Sequence, residues 1–232
     1  MSEAAPGEPP DEGFSTNVFV NCPFDDAYVP LLRPLLFTVV ALVFTPRIAT
    51  ERSDSGESRL DKICGLIRRS RYSVHDLSRL KAARKGEFYR MNMPFELGVE
   101  HGARLFGGGR LGTKRSLVLE KDRYEFMKAL SDLSGADVKA HHDRPEGVVR
   151  AVRDWFVETA GVRGAPSATV LLYEFTEFAA DFYDARKAEG FTDEESNFMP
   201  VPEYVDFIRA WVSGGRGAAT HAAGGRIARS RA

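Results

Sequence analysis

From Asn17 onwards the chain repeats one pattern five times: a short β-branched or aromatic run, then a longer amphipathic one. That alternation constrains the fold more than any other feature. A short apolar run followed by a helical period predicts a buried parallel strand with a crossover helix, and five such units predict one sheet covered on both faces. The strands are expected at Val18–Val20, Thr45–Thr50, Tyr72–Asp76, Ser116–Leu119 and Asp137–Ala140. The helices are expected at Tyr28–Leu42, with Pro30 in its first turn and Pro34 as an irregularity, and at Ser58–Ser70, Pro94–Phe106 and Pro145–Thr159. A short helix is expected over Tyr124–Leu133. Gly107-Gly108-Gly109 stops the helix that begins at Pro94.

Five strands of this length suit an α/β flavodoxin-like sheet of order 2-1-3-4-5, an order chosen from size alone. This domain spans 17–159, preceded by a leader at 1–16 rich in Pro, Glu and Gly and expected to be disordered. Val170–Ala188 and Val201–Val212 carry aromatic residues at helical spacing, so 167–213 is expected as a C-terminal helical extension. It either packs on the main domain or mediates self-association. The Gly-, Ala- and Arg-rich 214–232 is expected as a disordered basic tail.

Charge and cysteine content narrow the function classes. The net charge of −1 provides no global field towards nucleic acid or an anionic membrane, so neither is expected as a partner. Cys22 and Cys64, the only cysteines, have no metal-ligand spacing and favour a reducing compartment, hence a cytoplasmic location. The apolar run Leu31–Phe44 is too short to span a bilayer and contains Arg33 and Pro34.

Polar side chains collect just beyond the strands. They are Asn21, Asp25 and Asp26 after the first; Glu51, Asp54, Ser55 and Glu57 after the second; and Asp76, Ser78 and Arg79 after the third. Glu120, Lys121 and Asp122 follow the fourth, and His141, His142 and Asp143 the fifth. Open parallel sheets bind ligands at this edge, where the strand order reverses. The reversal lies between the first and third strands, flanked by Phe24, Asp25 and Asp76. Polar loops are also simply solvated, so placement alone assigns no single residue. Glu96 is the sharpest candidate. Pro94 puts it in the first turn of its helix, with Asn92 near the cap, where free N–H groups and the helix dipole favour an ionised carboxylate. Such a group can attack an anomeric carbon or stabilise an oxocarbenium-like transition state as an N-glycosidic bond breaks. A first-turn Glu also improves a helix start with no further role.

Val18-Phe19-Val20-Asn21-Cys22-Pro23-Phe24-Asp25 resembles the first strand and following loop of nucleoside 2-deoxyribosyltransferase-like proteins. Val74-His75-Asp76-Leu77-Ser78 resembles their third strand, and NMPFELGVEHGA from Asn92 to Ala103 their Glu-Leu-Gly helix. The same order and Glu-bearing helix resemble Toll/interleukin-1 receptor (TIR) domains. The resemblance covers 17–159 and rests on short motifs. It implies Glu96 as catalytic carboxylate, Asp76 as a ribose or base contact and Asn92 as a positioning group. It also implies a substrate pocket involving Asn21, Pro23, Phe24, Asp25, Glu51, Ser78 and Arg79. NAD or another nucleotide would be substrate, with no cofactor or metal, and a homo-oligomer is expected. The activity implied is N-glycosidic bond cleavage by hydrolysis or transfer. The alternative is a non-catalytic TIR-like module for nucleotide sensing or protein interaction. The chain departs from the transferases in Arg90-Met91-Asn92-Met93-Pro94 before the Glu, and from enzymatic TIR domains in having no Trp or Cys shortly before it.

Other clusters weigh less. His75 precedes Asp76 and points to the opposite face of the strand, so it is expected to pack under a helix. His101 lies roughly 140° round the helix from Glu96, whereas Glu100 shares its face more closely. His141-His142-Asp143 has adjacent ligands that diverge and no further His or Cys to join them, so no metal site is expected. Lys81, Arg84, Lys85 and Arg90 could hold a pyrophosphate, but a solvated loop is the favoured reading. A response-type flavodoxin-like domain would need a Lys beyond the last strand, and none follows Ala140 there.

Overall fold

The computed structural model describes residues 13–79, 91–133 and 135–224, with side chains to residue 214. Five parallel strands form one sheet in the order 2-1-3-4-5: β1 (Asn17–Asn21), β2 (Thr45–Ile48), β3 (Tyr72–Asp76), β4 (Arg115–Glu120) and β5 (Val138–Ala140). Each pair is parallel and in register, for example Val20 beside both Ile48 and Val74. The fold is the expected α/β flavodoxin-like one, and its order reverses between β1 and β3.

Alternation along the strands divides the core. Val18, Val20, Tyr72, Val74, Leu117 and Leu119 face α1 (Val29–Ala41) and α4 (Pro145–Thr159). On the opposite face, Phe19 packs with Ile63, Leu66 and Ile67 of α2 (Arg59–Arg68), and Val118 with Met93 and Leu97 of α3 (Asn92–Phe106). Pro30 lies in the first turn of α1, and the helix continues through Pro34.

The C-terminal helices α5 (Ala168–Ala188), α6 (Asp193–Asn197) and α7 (Val201–Gly224) follow. Leu171, Phe178 and Phe182 of α5 and Tyr204, Val205 and Ile208 of α7 join the same apolar core as α1. Of the two arrangements open for this extension, packing on the main domain is therefore the one observed. Phe37 shows why: its ring lies 5.6 Å from that of Phe178 and 5.9 Å from that of Trp211.

Several expectations need correcting. Residues 13–16 are part of the fold: Phe14 is buried, its carbonyl accepts from Arg71 N at 2.9 Å, and Lys114 and Arg110 lie over its ring. Tyr124–Leu133 forms two 3-10 turns, Phe126–Lys128 and Ser131–Leu133, in place of an α-helix. Buried Glu120 accepts from Tyr124 N at 2.6 Å and from Phe126 N at 3.2 Å and ties this segment to the end of β4. The backbone of α7 continues to Gly224, past the expected start of the tail at residue 214. The remainder of the leader, the end of the tail and the basic cluster Lys81, Arg84, Lys85 and Arg90 lie outside the described residues. Among the described residues, no helix is long and apolar enough to cross a membrane.

Candidate active site at the sheet edge

Glu96 sits on α3 at the carboxyl edge of the sheet, but not in the first turn. The helix begins at Asn92, so Pro94 is its third residue and Glu96 its fifth. Pro is tolerated there because the first-turn N–H groups have no intrahelical acceptor in any case. The expected cap contact is not formed either: Met91 occupies the capping position, and Asn92 is exposed as the first helical residue.

The electrostatic expectation reverses with that shift. Glu96 is 5% exposed, and its carboxylate makes no hydrogen bond among the described residues. Burial pushes its pKa from 4.5 up to about 7, against the pull of the Arg59 guanidinium at the start of α2. Desolvation thus outweighs a helix dipole whose effect is confined to the first turn. Glu96 is poised to exchange a proton near neutrality instead of being held ionised.

Cys22 marks what surrounds this carboxyl group. Its buried thiol is pushed well above its ordinary pKa, first by burial and then by the carboxylates of Asp76, Glu96 and Asp25. Glu96 and the two acidic residues flanking the β1–β3 reversal therefore share one neighbourhood. Asn21, also buried, ties it together. Its Nδ2 donates to Met93 O at 3.0 Å, fastening β1 to the start of α3, and lies 3.0 Å from His75 Nδ1. As a donor to Nδ1, Asn21 selects the His75 tautomer protonated at Nε2, and that nitrogen is buried without a partner among the described residues. Burial and the nearby Lys114 ammonium push the His75 pKa down to about 3, so the ring is neutral.

Asp76 differs most from its expected role as a ribose or base contact. It is fully buried, and both oxygens are engaged by protein groups. Oδ1 accepts from Ser78 N at 2.8 Å and from the Ser78 hydroxyl. Oδ2 accepts from the Tyr28 hydroxyl and lies 3.1 Å from His141 Nε2. Burial alone would raise the Asp76 pKa; the bonds to His141, Ser78 and Tyr28 outweigh it and hold the carboxyl below its usual range.

His141 enters this network through the turn after β5. His142 and Asp143 both adopt left-handed backbone, φ 55° and 53°, uncommon for residues other than glycine. The turn aims Asp143 N at His141 Nδ1, 3.0 Å away, which leaves the proton on Nε2 facing Asp76 and Ser78 Oγ at 2.7 Å. Gly147 permits the packing, since a Cβ there would lie 2.4 Å from His141 O. Among the described residues, no group of three His, Cys, Asp or Glu side chains is arranged to hold a metal ion.

The remaining expected residues divide between two openings. Ser78 and Arg79 line a cleft of about 640 Å³ over the ends of β3 and β4, with Pro94, Glu120, Lys121 and Asp122. Phe24 and Asp25 line a smaller pocket of about 260 Å³ reaching the C-terminal helices. Arg79 bridges the two by pairing with Asp25 at 3.4 Å. Pro23 is buried, and Glu96 lines neither opening. Glu51 is turned to its own loop, bidentate to Arg47 at 2.6 and 2.9 Å. Tyr28, Cys22, Arg59 and the Asp76 contact of His141 were not singled out by sequence reasoning. Only the placement of His141 just beyond the fifth strand hinted at its role.

Comparison with protein-family models, curated proteins and solved structures found no match to this chain.

Proposed function

We propose that the chain cleaves the N-glycosidic bond of a nucleotide, with NAD as the leading substrate and Glu96 as the catalytic carboxylate. One observation carries this reading. A nearly buried Glu without a hydrogen-bond partner among the described residues, its pKa about 7, stands beside the β1–β3 reversal of an open parallel sheet. A carboxyl group that burial brings to a pKa near neutrality, beside the ligand-binding edge of an open parallel sheet, is a catalytic candidate. The resemblance of the Glu-bearing helix to deoxyribosyltransferase-like and TIR proteins supports the same bond type.

The chemistry balances without a redox partner. The C1′–N bond breaks, its electron pair leaves with the base, and nicotinamide departs neutral. Ionised Glu96 stabilises the ribosyl cation or captures it as an ester. Water then supplies the oxygen to C1′ and loses one proton. Asp76 serves as a positioning residue, acting through Ser78, Tyr28 and His141. Asn92 remains available to a ribose hydroxyl, being exposed on the first turn of α3.

Glu96→Gln is expected to reduce nicotinamide release at least 100-fold, by analogy with the loss of other positioned acid–base groups, without shifting the thermal midpoint downward. Chromatography of NAD incubations and a melting curve check both statements; undiminished turnover overturns the assignment.

The engagement of both Asp76 oxygens by protein groups favours a second reading, a TIR-like module that senses a nucleotide or assembles without turning it over. Saturable NAD binding with no product from concentrated or oligomerised protein decides for that reading.

A further inference from the structure

We infer that the pocket between the β1–α1 loop and the α6–α7 link is a binding site for a planar heteroaromatic base, so that the C-terminal helices are part of the ligand site. Its identity as the base subsite of the Glu96 reaction rests on the function proposed above.

Four observations lead there. The pocket holds about 260 Å³, just below the roughly 300 Å³ at which pockets begin to take drug-sized molecules, so it suits one ring system and not a dinucleotide. Much of its wall is flat or apolar, with Phe24 and Leu36 from the main domain and Met199, Pro200 and Tyr204 from the C-terminal segment, and Arg33, Thr50 and Asn197 complete it. Aromatic walls bind planar rings by stacking. The rim carries the Asp26 carboxylate, an acceptor for the exocyclic N–H groups of an amide or an amine, beside Asp25, which pairs with Arg79. Finally, Tyr204 is 4% exposed, yet its hydroxyl makes no hydrogen bond among the described residues. That hydroxyl keeps contact with solvent where Tyr204 lines the pocket, and a base seated there can supply its partner.

The arrangement is rigid where it needs to be. The Arg33 guanidinium lies 4.6 Å over the Tyr204 ring and donates to Tyr183 Oη at 2.5 Å and to Ser196 O at 2.6 Å. It thereby fixes the tyrosine relative to α1, α5 and α6. The loop that carries Phe24 and Asp25 also carries Cys22, whose thiol feels both the Asp25 and the Glu96 carboxylates. A base seated here is thus held by the loop that runs beside the catalytic glutamate.

Free nicotinamide and free adenine, each titrated separately into the full-length chain and followed by calorimetry and ligand-observed NMR, test the inference and show which base the pocket prefers. Tyr204→Phe, which keeps the ring over which Arg33 lies, is expected to weaken the preferred base about threefold to tenfold, the loss of one hydrogen bond. Met199→Trp, which fills the pocket, is expected to remove binding; its melting curve reports whether it folds, and Tyr204→Phe decides if it does not. Glu96→Gln is expected to bind the free base as the unaltered chain does. No saturable binding of either base, or equal affinity in Tyr204→Phe, overturns the inference. Should Glu96→Gln still consume NAD while Tyr204→Phe loses affinity, the glutamate assignment fails and the base pocket stands.

Discussion

At the scale of single residues, Glu96 sets the pH behaviour. Its folded pKa of about 7 lies above the ordinary 4.5 because burial penalises the charged form. Between these values the folded chain keeps a proton that the unfolded chain has released. Stability therefore falls as pH rises from 4.5 to about 7, and the contribution is level above that, with an upper limit of about 3 kcal/mol. Glu96→Gln is expected to flatten this slope, measured as denaturation midpoints across the interval; a slope unchanged by the substitution contradicts the raised pKa. Activity should run the opposite way, since the ribosyl cation needs the ionised form. Nicotinamide release by the unaltered chain is expected to rise through pH about 7 and then level. Asp76, though more deeply buried, is shifted the other way by His141, Ser78 and Tyr28. Two carboxyl groups near one thiol thus hold different protonation states at neutrality, one fixed as an anion and one able to exchange.

At the scale of elements, α3 is fastened to the sheet by a second buried glutamate. Glu100, one turn beyond Glu96, lies 3.2 Å from Lys114 Nζ and accepts from Ser73 Oγ at 3.2 Å. The Lys114 ammonium, fully buried, also donates to Ile67 O at 2.6 Å and to Ser70 O. This cation therefore joins α3, the end of α2 and the start of β4. Burial pushes the pKa of Glu100 up and that of Lys114 down, each opposed by its partner. Lys114→Met alone is expected to cost roughly 3–5 kcal/mol, because Glu100 is then buried without its cation; adding Glu100→Leu should recover much of that loss. Chemical denaturation of the two single variants and the double variant measures the coupling, and strictly additive losses refute it. The limits of sequence reasoning show at this same scale. The strands and α3 itself were legible, since periodicity and Gly107-Gly108-Gly109 mark them locally. The start of α3 was not, because a proline fits anywhere in a first turn, and a two-residue error there reversed the expected charge of Glu96. The Asp76 network was not legible either, because it joins Tyr28 and His141 across 48 and 65 positions of chain, and only the assembled sheet brings them together.

At the scale of the whole molecule, α1 decides whether the chain is one unit or two. Leu31, Leu32, Leu35, Leu36, Phe37, Val39 and Val40 are all buried, more than one face of a helix against a sheet can account for. A helix apolar all round must be covered all round. The sheet covers the inner side of α1, and α5 and α7 cover the outer side through Phe178, Tyr204 and Trp211. An α/β domain without 167–213 would leave that outer side in water, so the C-terminal helices complete the core, and the chain should unfold as one cooperative body. Its two tryptophans report from opposite ends of this argument: Trp155 on α4 near Tyr72 of the sheet, and Trp211 on α7 with its indole donating to Asp181 at 2.7 Å. In the single-tryptophan variants Trp155→Phe and Trp211→Phe, each compared with far-UV circular dichroism of the same protein, fluorescence and dichroism midpoints are expected to coincide. A Trp211 signal that melts ahead of the sheet would mean that the helices detach first, and α1 would then have to tolerate an exposed apolar side. The Phe37 ring, packed against Phe175, Phe178 and Trp211 at 5.6 to 5.9 Å, argues that it does not.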